Sequence, residues 1–96
     1  MAKVRPPIRR TDGNQAQVMA WLRDLGCTVI DLHTLGKDIP DLLVGIGDAN
    51  VLVEVKTADG ELSAGQKRFF EEWKGPKAVA RTVEDCVQIA RSNFLT

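Results

Sequence analysis

The chain has 96 residues, 44% of them hydrophobic, and its 13 lysines and arginines balance 13 aspartates and glutamates. This length is near the low end of the usual range for one domain. No apolar run approaches the roughly 18 residues that a membrane span needs, and no apolar signal stretch follows the basic N-terminus. We therefore expect a soluble, cytoplasmic protein without a membrane partner. The neutral total charge is mildly unfavourable for nucleic-acid binding, which usually requires a basic surface.

Residues 1–11 contain two prolines and no hydrophobic periodicity, and they predict a flexible arm ahead of a single domain over residues 12–96. Basic side chains are concentrated in this arm, which weakens the argument from neutral total charge. A basic arm could contact the phosphates of DNA. The candidate DNA contacts in the arm are Lys3, Arg5, Arg9 and Arg10.

The first half of the domain predicts one helix and three strands. Val18, Leu22 and Leu25 recur at helical spacing, so residues 14–25 predict an amphipathic helix that stops at Gly26. Residues 27–32, 41–46 and 51–57 are rich in β-branched and apolar side chains and predict strands. Turn-forming residues at 47–50 predict that the second and third strands form a hairpin.

The second half predicts two helices separated by a short strand. Ser63 caps a helix that continues to about residue 74, with the aromatic residues 69, 70 and 73 on its apolar face. Residues 77–81 predict a strand, and Thr82 with Asp85 forms a capping-box pattern before a last helix that ends near residue 91. The predicted order is αβββαβα, which indicates an α/β domain.

The two cysteines, Cys27 and Cys86, lie among apolar residues. Their spacing does not match a zinc-binding pattern. We therefore predict two free, buried thiols in a reducing compartment.

Three charged residues meet on one face of the predicted hairpin. Side chains alternate between the two faces of a strand, so Glu54 and Lys56 share the face opposite the valines of their strand. Partners across the hairpin must have residue numbers with an odd sum if Asp41 is to stay out of the core. A sum of 97 gives a two-residue loop and places Asp41 opposite Lys56. A sum of 95 gives a four-residue loop and places Asp41 opposite Glu54.

This cluster suits phosphodiester hydrolysis. Carboxylates can hold a hard divalent cation such as Mg²⁺, which keeps several waters and binds phosphate oxygen. The ammonium of Lys56 could position or deprotonate a water, or stabilise charge on the phosphoryl oxygens. The alternative is an exposed salt-bridge surface, which is common and contributes little to stability. Against this alternative, Pro40 fixes the backbone just before Asp41, and two charges interrupt a valine-rich strand.

Pro40-Asp41 followed by Glu54-Val55-Lys56 resembles the PD-(D/E)XK nuclease motif. More narrowly, residues 39–45, 52–56, 62–66 and 73–75 resemble the stand-alone VRR-NUC proteins of phages and prophages. The resemblance covers residues 14 to 89. It implies a restriction-endonuclease-like αβββαβ core, with a mixed central sheet flanked by helices and a C-terminal helix added.

The resemblance also implies a Mg²⁺- or Mn²⁺-dependent endodeoxyribonuclease. The metal would be held by Asp41, Glu54 and the backbone carbonyl of Val55, Lys56 would be catalytic, and Gln66 would help to place the substrate or the metal-bound water. Similar proteins resolve Holliday junctions as dimers, so the resemblance implies branched or junction DNA as substrate, a homodimer, and a phage- or prophage-encoded protein in a bacterial host.

Several alternatives stay open at this stage. Gln66 also completes a capping box with Ser63, which explains its presence without catalysis. Lys67 and Arg68 are candidate DNA contacts, but a charged helix face is the ordinary interpretation. His33 follows a strand and is expected to be a solvated loop residue rather than part of the site.

One departure from the family pattern concerns the first helix. Many relatives have an acidic residue there, whereas residues 14–17 of this chain offer amides. The metal site is therefore either weaker or reached by an amide oxygen through water. The competing function is a non-catalytic module on the same fold that binds DNA or a protein. A sequence-specific restriction or homing nuclease is disfavoured, because 96 residues leave little room for a base-reading element.

Overall fold

The computed structural model of the chain describes residues 14–92. The helices and strands are α1 (Gln15–Asp24), β1 (Thr28–Asp31), β2 (Leu42–Ile46), β3 (Ala49–Val55), α2 (Ala64–Glu72), β4 (Lys77–Ala80) and α3 (Val83–Arg91). The predicted order αβββαβα is confirmed. The basic arm, with Lys3, Arg5, Arg9 and Arg10, lies outside the described residues. Within residues 14–92, no helix is long and apolar enough to cross a membrane.

The four strands form one mixed sheet in the order β1-β2-β3-β4. β1 pairs with β2, and β2 with β3, in antiparallel fashion, whereas β3 and β4 are parallel. Parallel neighbours need a crossover connection, and α2 supplies it here. The mixed sheet agrees with the prediction, and the crossover brings the start of α2 close to the end of β3.

The hydrophobic core lies between the sheet and the pair of helices α1 and α3. Val18 and Leu22 of α1, together with Cys86 and Ile89 of α3, pack against the alternate apolar residues of the strands. Both cysteines are free and buried, as predicted. Burial raises the pKa of the Cys86 thiol to about 11, with smaller contributions from Asp85 and Cys27.

The hairpin between β2 and β3 has a tighter loop than its register suggested. Partner numbers sum to 95, as in the pair Leu42 and Val53, and pairing continues to Ile46 and Ala49. The loop is therefore the two residues 47 and 48 rather than four, because β3 begins at Ala49 and not at the predicted residue 51. Gly47 occupies the first loop position with φ of 58°, a conformation that a tight hairpin turn requires there.

Helix α2 ends slightly before the predicted end near residue 74, and its apolar face is only partly buried. The helix ends at Glu72, because Trp73 has an extended backbone and the side chain of Lys77 donates a hydrogen bond to its carbonyl at 2.8 Å. No residue of α2 is buried. Phe69 stacks on Trp73 with ring centroids 5.6 Å apart, so these aromatic side chains pack on each other rather than into the main core.

Candidate active site

Asp41 lies immediately before β2 and is fixed from two directions. Its carboxylate accepts a hydrogen bond from the backbone N–H of Val55 at 2.9 Å. Its carbonyl accepts one from the N–H of Leu32 at 2.7 Å, which extends the pairing of β1 with β2 by one residue. Pro40, just before it, is fully buried. The carboxylate of Asp41 therefore lies at the end of β3.

Glu54 is buried to an extent that the sequence did not indicate. It is 2% exposed, and it is the one buried polar or charged residue among those that the structure describes. The alternation of β3 suggested a core face and a solvent face, but residues 51–55 are all buried. The central strand is therefore covered on both faces. This burial excludes the alternative in which Glu54 and Lys56 form an exposed salt-bridge surface.

The same oxygen of Glu54 meets two other side chains. The Nζ atom of Lys56 lies 3.7 Å from Oε2 of Glu54, and the Lys56 side chain is 16% exposed. The side-chain amide of Gln66 donates a hydrogen bond to this oxygen at 3.0 Å. The structure thus brings both Lys56 and Gln66 to Glu54. The Asp41 carboxylate lies close by, because it is bonded to the N–H of Val55, the next residue of the strand.

Gln66 forms the capping box that the sequence allowed, and it also contacts Glu54. Its Oε1 accepts a hydrogen bond from the N–H of Ser63 at 2.9 Å, and its own N–H donates to the Ser63 hydroxyl at 3.1 Å, which completes the capping box. With the oxygen turned to the cap, the amide nitrogen faces Glu54. One side chain therefore fixes the start of α2 and joins that helix to the site.

The chemistry of the donors fits a hard divalent cation. Asp41 and Glu54 supply carboxylate oxygens, which Mg²⁺ prefers. The N–H of Lys56 bonds to Ala80 of β4, and in a trans peptide the carbonyl of Val55 points the opposite way, toward Asp41. Within residues 14–92 no group of three or more histidine, cysteine or acidic side chains is placed to hold a metal. A metal site here would rest on two carboxylates and a carbonyl.

Asn14 contacts the end of the sheet, a role that the sequence did not reveal. Its side-chain nitrogen donates hydrogen bonds to the carbonyls of Lys56 and Arg81, both at 2.9 Å. Gln15, the next amide, donates instead to Asp31 at 3.0 Å. The two carbonyls that Asn14 contacts are 42 and 67 residues away in the chain. Local sequence pattern cannot reveal contacts between segments so far apart.

Asp38 connects the loop before Asp41 to the start of α2. A Cβ atom built on Gly65 would lie 2.6 Å from the carboxyl carbon of Asp38, so only glycine fits without displacement. The loop that leads to Asp41 and the helix that carries Gln66 are thus in direct contact. A glycine inside a helix N-terminus could have suggested such a close approach, but it could not have named the partner.

The predicted DNA contacts on α2 are exposed. Lys67 lines an open cleft of ≈ 500 Å³ together with the loop 58–62 and Arg81, and Arg81 donates to the Gly60 carbonyl at 2.8 Å. The cleft adjoins the site, because a Cβ on Gly60 would lie 3.4 Å from the Cβ of Lys56. Arg68 is exposed on the same helix. Lys67 is therefore exposed at the edge of a cleft that adjoins the site.

His33 lies beside Asp31 and not beside Glu54. It is exposed, and its ring is 2.8 Å from the Asp31 carboxylate. Burial raises the pKa of Asp31, but hydrogen bonds from the N–H and ring of His33 and from Gln15 outweigh it, so the pKa is lowered. The expectation that His33 is a loop histidine outside the site agrees with this placement.

The comparison with solved structures identifies the fold. A structure described as a "VRR_NUC domain" superposes with a TM-score of 0.66, at 22% sequence identity, over 82% of this chain and 92% of the other. This likeness and the mixed four-stranded sheet confirm the predicted restriction-endonuclease-like α/β fold. No family model matches the sequence, and no curated protein matches it.

Proposed function

We propose that this chain is a nuclease of the VRR-NUC family that hydrolyses phosphodiester bonds in DNA with Mg²⁺ or Mn²⁺. The observation that carries the proposal is the burial of Glu54, 2% exposed, next to Asp41 and in contact with Lys56. A buried charged group is costly for stability, and such groups concentrate at functional sites. The likeness to a solved VRR_NUC domain adds support, because it extends over 82% of this chain with a TM-score of 0.66.

The metal would be held by the carboxylates of Asp41 and Glu54 and by the carbonyl of Val55. All three donors are oxygens, which suits Mg²⁺ or Mn²⁺. When bound, such a metal polarises a phosphoryl oxygen and lowers the pKa of a coordinated water. The hydrogen bond from the Val55 N–H to Asp41 sets the direction of that carboxylate before any metal arrives.

The side chains around the two carboxylates have separate tasks. Lys56 supplies a positive charge 3.7 Å from Glu54, where it can stabilise the negative charge that develops on the phosphoryl oxygens or orient a water. Gln66 holds Glu54 in place through a 3.0 Å hydrogen bond and so connects α2 to the site. Lys56 and Gln66 are both only partly exposed, so they act beside a carboxylate that is itself 2% exposed.

The finer properties of the enzyme are proposals as well. We expect a homodimer that cuts branched or junction DNA, because two copies can cleave two strands symmetrically. Lys3, Arg5, Arg9 and Arg10 of the arm, with Lys67 and Arg68 of α2, would contact DNA phosphates. A cytoplasmic location in a phage-carrying bacterial host fits this substrate.

A second candidate function is a non-catalytic DNA- or protein-binding module on the same fold. It is favoured by one observation: the first helix, where many relatives have an acidic residue, begins here with amides, and the amide of Asn14 is bonded to two main-chain carbonyls. This candidate predicts binding without cleavage.

The decisive experiment incubates purified protein with labelled four-way junctions, flaps, nicked duplex and plain duplex, with and without Mn²⁺. We expect metal-dependent cleavage that falls by about 10²–10⁴-fold in Glu54→Ala and in Lys56→Ala. The matched controls are Glu71→Ala and Lys74→Ala, which remove the same charges from exposed positions. Binding without cleavage would favour the second candidate, and equal cleavage by all variants would refute the site.

A further inference from the structure

The parallel pairing of β3 and β4 ends abruptly at Lys56. The N–H of Lys56 donates to the carbonyl of Ala80 at 3.1 Å, which is the last bond of the ladder. The N–H groups of Arg81 and Thr82 follow on the β4 side. Only that of Thr82 is in register with the carbonyl of Lys56, because the Arg81 N–H shares a trans peptide with the Ala80 carbonyl and points away from β3. Both N–H groups donate instead to the carboxylate of Asp85, at 2.7 and 3.1 Å, because Asp85 caps α3. Neither N–H can therefore continue the ladder to the carbonyl of Lys56.

Asn14 replaces the missing strand donors. Its single amide nitrogen donates one hydrogen to Lys56 and the other to Arg81, at the ends of the two neighbouring strands. An amide nitrogen has two hydrogens, whereas a carboxylate has none and a hydroxyl has one. Asparagine at the start of a helix usually accepts a capping hydrogen bond, but Asn14 has no side-chain cap bond to α1. Its side chain is thus directed to the sheet and not to its own helix.

The two bonds of Lys56 fix the backbone on both sides of its α-carbon. The peptide before Lys56 is held by Ala80, and the peptide after it is held by Asn14. With both planes held, the direction of the Lys56 Cα–Cβ bond is set, and so is the direction of the Val55 carbonyl in the preceding plane. Lys56 follows the end of β3, where no further strand pairing would restrain it.

We propose that Asn14 is a positioning residue of the nuclease site: its amide holds the Lys56 backbone so that the ammonium meets Glu54, and position 14 supplies hydrogen-bond donors rather than a metal ligand. This inference rests on the proposed nuclease function. A carboxylate at position 14 would face two carbonyl oxygens with no hydrogen to donate.

The test compares Asn14→Asp and Asn14→Ala with the parent in Mn²⁺-dependent cleavage of junction DNA. Gln17→Glu is the matched control, because it makes the same amide-to-acid change at an exposed position on α1. We expect both Asn14 variants to lower kcat at least about tenfold with KM within about twofold, and to shift the pH–rate profile, because the ammonium is misplaced. The control should behave like the parent.

A second measurement does not depend on activity. In the metal-free parent, NMR should show that the side-chain NH₂ protons of Asn14 exchange slowly with water, in contrast to those of Gln17. Fast exchange of the Asn14 protons would overturn the proposal. So would higher activity or tighter Mn²⁺ binding in Asn14→Asp, or lower thermal stability with an unchanged kcat and pH profile. If the parent itself cuts no DNA, the proposed function fails, and this inference fails with it; an active parent with unaffected variants refutes the inference alone.

Discussion

Removing the charge of Lys56 and removing the charge of Glu54 should have unequal effects on stability. At the observed 3.7 Å, the attraction between the two groups is about 4.5 kcal/mol at an effective dielectric constant near 20. The desolvation of each ion opposes it by several kcal/mol. Lys56→Met leaves a carboxylate that is 2% exposed without its ammonium, so we expect a loss of about 3–5 kcal/mol.

Glu54→Gln should change stability little or raise it. Glutamine keeps the volume and can still accept the hydrogen bond from Gln66, and the desolvation of a buried carboxylate is removed. The ammonium left behind belongs to a long side chain that is 16% exposed and can reach water. We expect unfolding free energies within about 1 kcal/mol of the parent, or higher, since buried ion pairs are often neutral or destabilising overall. Cleavage should nevertheless be lost.

The assay is urea unfolding of the metal-free proteins at 25 °C, with the double variant included to complete a thermodynamic cycle. Lys74→Met serves as the control, because it makes the same change on an exposed side chain and should stay within about 0.5 kcal/mol of the parent. The reasoning is refuted if Lys56→Met costs no more than Lys74→Met. It is also refuted if Glu54→Gln costs more than about 2 kcal/mol.

Two further predictions concern the metal and the cap. Mn²⁺ at a hundred times its dissociation constant should stabilise the parent by about 2.7 kcal/mol in thermal unfolding, and Asp41→Asn should abolish this shift; an equal shift in the variant would place the metal elsewhere. Ser63→Ala should cost about 1 kcal/mol by removing the cap while cleavage is retained. Gln66→Ala should lower both stability and cleavage, because its amide contacts the cap and Glu54. If Gln66→Ala and Ser63→Ala cleave DNA equally well, Gln66 acts only as a capping residue.

The sequence predicted what depends on local pattern. The order of elements follows from periodicity and from turn and cap residues, and both capping boxes form as expected, at Ser63 with Gln66 and at Thr82 with Asp85. The prediction that hairpin partners have residue numbers with an odd sum followed from the need to keep Asp41 out of the core. The register itself did not, because the sequence could not show that β3 begins at Ala49.

What the sequence could not predict depends on distant contacts. Burial of both faces of β3 follows from neighbours that alternation does not reveal, so the near-complete burial of Glu54 was not foreseen. The contact of Asp38 with Gly65 and the bonds of Asn14 likewise join segments far apart in the chain. The aromatic residues 69, 70 and 73 were predicted to share one apolar face, but the sequence did not show that Phe69 would stack on Trp73.

The bonds of Asn14 have a consequence for the order in which the chain folds. The bond between Asp41 and Val55 spans 14 residues and belongs to a hairpin, whereas those from Asn14 span 42 and 67. Contacts between distant segments carry a larger loop-closure entropy and form later than those of a local hairpin. The acidic half of the site can thus assemble early, and Lys56 is held only after the N-terminal helix has docked across the sheet. Catalytic competence would then coincide with the last stage of folding, so that a partly folded chain carries the acids without an aligned ammonium.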